Sequence, residues 1–296
     1  MINVENLTKR YHSGSSVHVA VDDASFGCAP GTVTGFLGPN GAGKSTTLRM
    51  LTGLTPPTSG RVTIDGKAYV DLPNPGRLIG VMLDAAAMHP GRTGLETLRV
   101  TAQVLGMPKA RADEMLELVG LTGAGKRRVA NFSLGMRQRL GIASALLGDP
   151  AILILDEPAN GMDPEGIRWM RGLLRDFAAG GGTVLLSSHL LGEVQATVDR
   201  LVVIGSGRIV AEGSLEELLG NGATIVRGLD QAGLGAALHR AGLAYRTTTE
   251  GAFSVEGSCE QVGRAAATAG HTLVELRDGS SNGLEDLFFE LTSKAA

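Results

Sequence analysis

Cysteine is scarce. The 296-residue chain has only Cys28 and Cys259, far apart and without metal-ligand spacing, so neither a disulfide scaffold nor a zinc site organises it. Long apolar stretches are missing too. The strongest run, Ala151-Ile-Leu-Ile-Leu155, has the length of a strand, whereas a membrane span needs about 20 predominantly apolar residues. The opening residues Met1 to Arg10 lack the apolar core of a secretory signal peptide, which makes a cytoplasmic chain the expectation. Excess charge of one sign is absent as well: a formal net charge of -3 removes the electrostatic case for a dedicated nucleic-acid binder. No heptads or short-period repeats occur.

What is present points to a folded chain. Hydrophobic residues make up 43% and charged residues 19%, enough for a sizeable core and incompatible with disorder from end to end. The length suits one large domain, or a medium domain with a small appendage. With 43 glycines there must be many tight turns or close backbone approaches. Charge divides near Gly220: beyond it stand six basic and nine acidic residues, while the first 220 residues carry 21 of each.

The first 220 residues read as strands alternating with helices, an α/β pattern. Val33 to Leu37, Ala151 to Leu155 and Val184 to Ser188 are short apolar runs of the kind buried in a parallel sheet covered on both faces. Met136, Leu140, Ala143 and Leu147 recur at helical spacing, with Ser133 placed as an N-cap. Asp163-Pro164-Glu165 opens another helix, Asp as cap and Pro at the first position. Beyond Gly220-Asn221-Gly222 the spacing predicts strand Ala223 to Arg227, helix Gln231 to Arg240 and a hairpin of Ala244 to Thr248 with Ala252 to Val255. Helix Cys259 to Thr268, strand Thr272 to Leu276 and a closing helix Gly283 to Leu291 follow. The order βαββαβ is that of a ferredoxin-like unit. The expected division is therefore 1–220 and 221–296.

The chemistry concentrates at strand ends. Gly38-Pro-Asn40-Gly41-Ala-Gly43-Lys44-Ser45 matches the phosphate-loop pattern, follows an apolar strand and precedes a helix beginning near Thr46. In such a loop, successive N–H groups and the helix N-terminus form a concave donor set for phosphate oxygens. Lys44 would reach the β- and γ-phosphates, and Ser45 would offer its hydroxyl to Mg²⁺. Gly38, Asn40, Gly41, Gly43, Lys44, Ser45 and Thr46 are the candidate nucleotide cradle. Asp156 and Glu157 end a buried strand, where both features converge on one crevice. Asp156 can then hold the Mg²⁺ shell while Glu157 polarises a water. His189, at another strand end, is placed for a γ-phosphate contact, although a lone histidine is more often structural than catalytic.

Together these motifs resemble the ATP-binding cassette ATPases, the nucleotide-binding subunits of ABC transporters, over approximately 1–220. The resemblance implies a P-loop fold with a helical subdomain carrying the signature, which Asn131-Phe-Ser133-Leu-Gly135-Met-Arg-Gln-Arg139 looks like. Asn160-Gly-Met-Asp163 is similar to the D-loop, His189 to the switch histidine, and Tyr11 to the aromatic that stacks on adenine. A tyrosine alone is also an ordinary exposed loop residue. The family's mechanism implies two cassettes, each ATP lying between the phosphate loop of one and Ser133 with the Gly135 N–H of the other. It further implies ATP and Mg²⁺ as ligands, and a cytoplasmic location peripheral to the membrane through separate permease subunits. The tail resembles the small C-terminal domains of ABC-2-type drug and antibiotic exporters. The stripe Leu284, Leu287, Phe288 and Leu291 suits packing on its own domain, or a contact between cassettes.

Two departures stand out. The signature reads Ser-Leu-Gly-Met where Ser-Gly-Gly-Gln is commoner, a form familiar among ABC-2-type exporters. Ile79-Gly-Val-Met-Leu-Asp84 ends in Asp where the family usually has the Q-loop glutamine, which contacts Mg²⁺ and links to the membrane subunit. A carboxylate is a hard ligand for Mg²⁺ but is one methylene shorter and charged. Either Asp84 keeps a metal-proximal role with altered reach, or the loop has lost it. An ATPase subunit of an exporter is the leading reading. A weakly hydrolysing regulatory cassette is the alternative, and a soluble non-transport ABC protein a weaker one. Removing the carboxylate by Asp84→Ala is expected to slow ATP turnover; an unchanged rate counts against a role for Asp84.

Overall fold

The computed structural model describes residues 1–14, 16–189, 191–219, 223–248 and 251–278, with Leu284, Leu287, Phe288 and Leu291. Contacts divide the chain into two compact units, one built on Met1–Gly213 and the other on Ser214–Glu290. The division precedes the composition change at Gly220, so the short helix Leu215–Leu219 falls in the second unit.

The first unit opens with a long hairpin, β1 (Ile2–Ser13) and β2 (Ser16–Cys28), then β3 (Val33–Leu37), α1 (Lys44–Leu51) and β4 (Ser59–Ile64). A helical turn α2 (Pro75–Leu78) leads into β5 (Ile79–Met82). Three helices follow: α3 (Gly94–Leu105), α4 (Ala110–Leu118) and α5 (Leu134–Leu146). The chain then returns through β6 (Ile152–Leu155), α6 (Pro164–Ala179), β7 (Thr183–Ser188), α7 (Leu191–Gln195), β8 (Arg200–Gly205) and β9 (Arg208–Ser214).

Among the described residues, six of these strands form one sheet in the order β5-β6-β7-β3-β8-β9. Its successive pairs from β5 to β8 are parallel. Strands β3, β6 and β7 are buried along their whole length, which is why they read as continuous apolar runs. A second sheet, antiparallel and ordered β2-β1-β4, packs against the first. Their shared core joins Ile2, Leu7 and Phe26 to Phe36, Ile154 and Leu185. The Phe26 and Phe36 rings stack at 5.2 Å between centroids. Helix starts follow local chemistry: Ser133 Oγ accepts the Met136 N–H at 3.2 Å, and Asp163 Oδ1 accepts the Gly166 N–H at 2.8 Å.

The second unit contains α8 (Leu215–Leu219), β10 (Ala223–Gly228), α9 (Gln231–Arg240), β11 (Tyr245–Thr247), β12 (Phe253–Glu256), α10 (Cys259–Thr268) and β13 (Leu273–Asp278). Its sheet is ordered β11-β12-β10-β13 with every pair antiparallel. The first and third of the four strands therefore lie in the middle, as the ferredoxin-like arrangement requires. Leu234 and Leu238 of α9, with Val262 and Ala266 of α10, cover Val226, Phe253 and Val255. Ser258 and Gln261 form a capping box at the start of α10. Of the expected closing helix 283–291, Leu284, Leu287, Phe288 and Leu291 are helical and Leu284 is buried; its other positions, like Gly220-Asn221-Gly222 and Glu250, lie outside the described residues.

Cys28 is fully buried in the first core, and burial pushes its thiol up to about 12. Cys259 is partly exposed. At neutral pH iodoacetamide is therefore expected to alkylate Cys259 in the native chain and to reach Cys28 only after unfolding. Mass mapping of the labelled peptides checks this, and rapid native labelling of Cys28 would refute it.

Candidate functional site

The carboxyl ends of β3 and β6 open on one cavity of about 510 Å³. The phosphate-loop pattern connects β3 to α1, and two of its glycines are dictated by backbone geometry. Gly43 has φ of +108°, and a Cβ there would run into the Ala20 carbonyl. A Cβ on Gly38 would meet the Ile204 carbonyl. Asn40, Gly41, Gly43, Lys44, Ser45 and Thr46 all line the cavity. Gly38 lies behind the loop instead, offering its carbonyl to Lys44 Nζ at 2.6 Å. Lys44 is buried, with Pro39 O as a second acceptor at 3.2 Å. Burial lowers its pKa from the ordinary lysine value, opposed by the negative charges of Glu157 and Asp156. An ammonium so shielded from water gains strongly from a phosphate anion.

Across the cavity stand Asp156 and Glu157, with Asp84 and Gln138. Ser187 Oγ donates to the Asp156 carboxylate and accepts the Glu157 N–H at 3.0 Å. Glu157 has a left-handed backbone, φ +49°, which for a residue with a Cβ costs roughly 1–2 kcal/mol. Its carboxylate meets His189 Nδ1 at 2.7 Å, and its carbonyl lies 3.5 Å from Gln138 Nε2. The histidine is thus brought to the glutamate rather than to the cavity wall. Asp84 spends one carboxylate oxygen on its own loop, accepting the Ala86 N–H at 2.7 Å. At the far end Tyr11 and its cross-strand partner His18 both line the cavity, with Lys9 Nζ 5.1 Å from the Tyr11 ring centroid.

Ser133 and Gly135 are not brought to this cavity. They form the start of α5, where a Cβ on Gly135 would lie 3.3 Å from the Gly161 carbonyl, so that the signature and Asn160–Asp163 pack together. Ser187, Gln138 and His18 escape a reading of motifs. Ser187 hides inside an apolar strand run, Gln138 inside the signature, and His18 gains its place only through the pairing of β1 with β2.

The donor set also suits magnesium. That ion takes oxygen ligands and keeps water and substrate phosphate among them, with one or two carboxylates from the protein. Ser45 and Asp156 supply such oxygens on the cavity wall, and among the described residues no cluster of three or more His, Cys, Asp or Glu forms an all-protein cage.

The model of the ABC transporter family matches residues 21–160. The bacitracin transport ATP-binding protein of Bacillus licheniformis is 43% identical over 215 residues, 72% of this chain and 69% of that one. The chain belongs to the ABC transporter ATP-binding family. A lantibiotic transport ATP-binding protein of Streptococcus pyogenes is 38% identical over 75% of this chain and 96% of its own length. A dimeric ATP-binding cassette in a post-hydrolysis state, bound to ADP and Pi, superposes with a TM-score of 0.67 at 26% identity, over 73% of this chain and 99% of that one. The family match takes in the phosphate loop, Asp84, the signature, Asp156 and Glu157. Tyr11 and His189 of this cassette lie outside it.

Alanine at Gly43 is expected to abolish nucleotide binding, because it adds a backbone clash to the strained φ. The strain alone is worth about 1–3 kcal/mol. At Gly41, where φ is +83° and nothing lies within 4 Å of a Cβ, alanine should carry strain only. Thermal melting with and without ATP separates the two; equal loss of binding in both variants would contradict the clash.

Proposed function

We propose that this chain is the ATP-binding and ATP-hydrolysing subunit of an ABC-2-type exporter, acting as a pair of cassettes beneath separate membrane subunits. The observation that carries this is the split between two features. One crevice gathers the phosphate loop, Asp156 and Glu157, while the Ser133 end of α5 lies apart from it. A helix start with free N–H groups is an anion site awaiting a ligand, and a second cassette's nucleotide is the one that fits. Tyr11 then supports the base, and the loop N–H groups with Lys44 hold the phosphates.

Ser45 and Asp156 would hold Mg²⁺, which would supply neutralising charge at the triphosphate. Glu157 accepts a proton from the attacking water. The water oxygen bonds to the γ-phosphorus as the bridge to the β-phosphate breaks, giving ADP and phosphate. His189, bonded to Glu157, orients that base. Closure of the two cassettes around ATP and their release after hydrolysis are what the membrane subunits would convert into a change of access. A groove of about 480 Å³ between Arg49, Met88 and Ser144 is the surface we assign to them, and it shares Leu83 and Asp84 with the nucleotide crevice. The proposed exporter role follows the relatives, which include a daunorubicin resistance ATP-binding protein of Streptomyces coeruleorubidus. Among the described residues no helix is long and apolar enough to cross a membrane.

A second reading, a cassette that closes on ATP but barely turns it over, rests on Asp84 alone, and Glu157 and His189 argue against it. Comparing the purified chain with Glu157→Gln decides between them. The exporter reading expects measurable turnover, a fall of about 10²–10⁴-fold in the variant, and ATP-dependent dimers of the variant in light scattering. A native rate no higher than that of the variant would establish the regulatory reading instead.

A further inference from the structure

Strand β7 conceals a hydroxyl that the motifs leave out. Ser187 is fully buried and lies two residues before His189. Because β7 runs parallel to β6 with Leu155 opposite Leu186, Ser187 is the residue brought beside Asp156. Its Oγ bonds both acidic residues, as donor to Asp156 Oδ1 and as acceptor from the Glu157 backbone N–H at 3.0 Å.

We propose that Ser187 is a positioning residue of the hydrolytic site, aiming the Asp156 carboxylate at the metal and pinning the Glu157 peptide in its left-handed turn. The proposal rests on the ATP-hydrolysing reading and deepens it. A serine hydroxyl has one proton. The Glu157 N–H can only donate, so Ser187 accepts from it and gives its own proton to Asp156. That fixes the direction of both bonds. Oδ1 of Asp156 thereby gives one lone pair to Ser187, which fixes the plane in which the carboxylate presents its remaining lone pairs to a hard cation.

Strand β7 and the residue that follows it then hold Glu157 at two points, Ser187 at the peptide and His189 at the carboxylate, with Gln138 near its carbonyl at 3.5 Å. A residue at φ +49° persists only where its surroundings over-determine it, and these contacts do so. Packing alone gives no reason for a serine here. Its neighbours Val184, Leu185 and Leu186 are buried apolar residues, and a buried hydroxyl is costly without partners. Both of its partners are the site's acids.

The test uses the full chain with Ser187→Ala and Ser187→Thr. The measurements are kcat and KM for ATP, the Mg²⁺ concentration for half-maximal turnover, binding of a fluorescent non-hydrolysable ATP analogue with Mg²⁺ or with EDTA, and the melting temperature. For Ser187→Ala, kcat should fall about 10–10²-fold, while KM for ATP stays within about twofold. The Mg²⁺ requirement should rise and the Mg²⁺-dependent gain in analogue binding should shrink, with binding in EDTA unchanged and the melting temperature lowered only by the one Glu157 N–H left unpaired. Ser187→Thr, which keeps the hydroxyl, should restore most of each. Unchanged kcat and Mg²⁺ response in Ser187→Ala would overturn the proposal, as would equal impairment in both variants. A parallel loss of EDTA binding and melting temperature would reduce Ser187 to a packing residue and overturn it as well. If the unaltered chain hydrolyses no ATP, the functional reading fails, and the analogue-binding comparison still decides the role of Ser187.

Discussion

Strand β7 hydrogen-bonds to β3 on one side and to β6 on the other, and the site depends on that placement. Parallel pairing sets all three carboxyl ends at one level, so the phosphate loop after β3 and the acidic pair after β6 face a shared space. Neither group could reach the other along the chain, because Lys44 and Glu157 are separated by the whole helical segment α3–α5. The sheet order brings β3 and β6 to either side of a strand that comes later than both. Burial of β3, β6 and β7 along their entire length makes this register rigid, since slipping one residue would turn apolar side chains and strand-end polar groups out of place.

Charge and backbone strain are concentrated where that register ends. Lys44 is buried beside the carboxylates, its ammonium resting on loop carbonyls. Glu157 holds a left-handed backbone within bonding reach of three side chains. These are arrangements that a stable fold would not adopt for their own sake. The large core shared by the two sheets supplies the stability against which a few kcal/mol of local strain is tolerated.

Much of this was legible in the residues. The apolar runs of β3, β6 and β7, the caps Ser133 and Asp163, and the βαββαβ order of the second unit all follow from local patterns, and the structure has them. The long hairpin did not announce itself, because β1 carries register shifts between Val4 and Leu7 and again before Lys9 and Arg10. Each bulge breaks the two-residue alternation by which a half-buried strand is recognised. Ser187 was hidden for a different reason. Inside Val184-Leu-Leu-Ser-Ser188 it reads as the polar end of a buried strand, and only the pairing with β6 reveals what its hydroxyl touches. Glu157's φ is likewise invisible in sequence, since nothing about Glu beside Pro158 signals a left-handed turn.

Asp84 shows how geometry redefines a substitution. Judged by type, exchanging glutamine for aspartate adds charge near a metal and strengthens a hard-ligand site. In place, one of its oxygens is committed to the Ala86 N–H of its own loop. That bond shapes the turn and holds a side chain already one methylene short away from free extension. Yet Asp84 lines both the nucleotide crevice and the neighbouring groove. Asp84 itself is exposed, so water and salt screen its charge, and what it brings to that junction is a short side chain already bonded to its own loop.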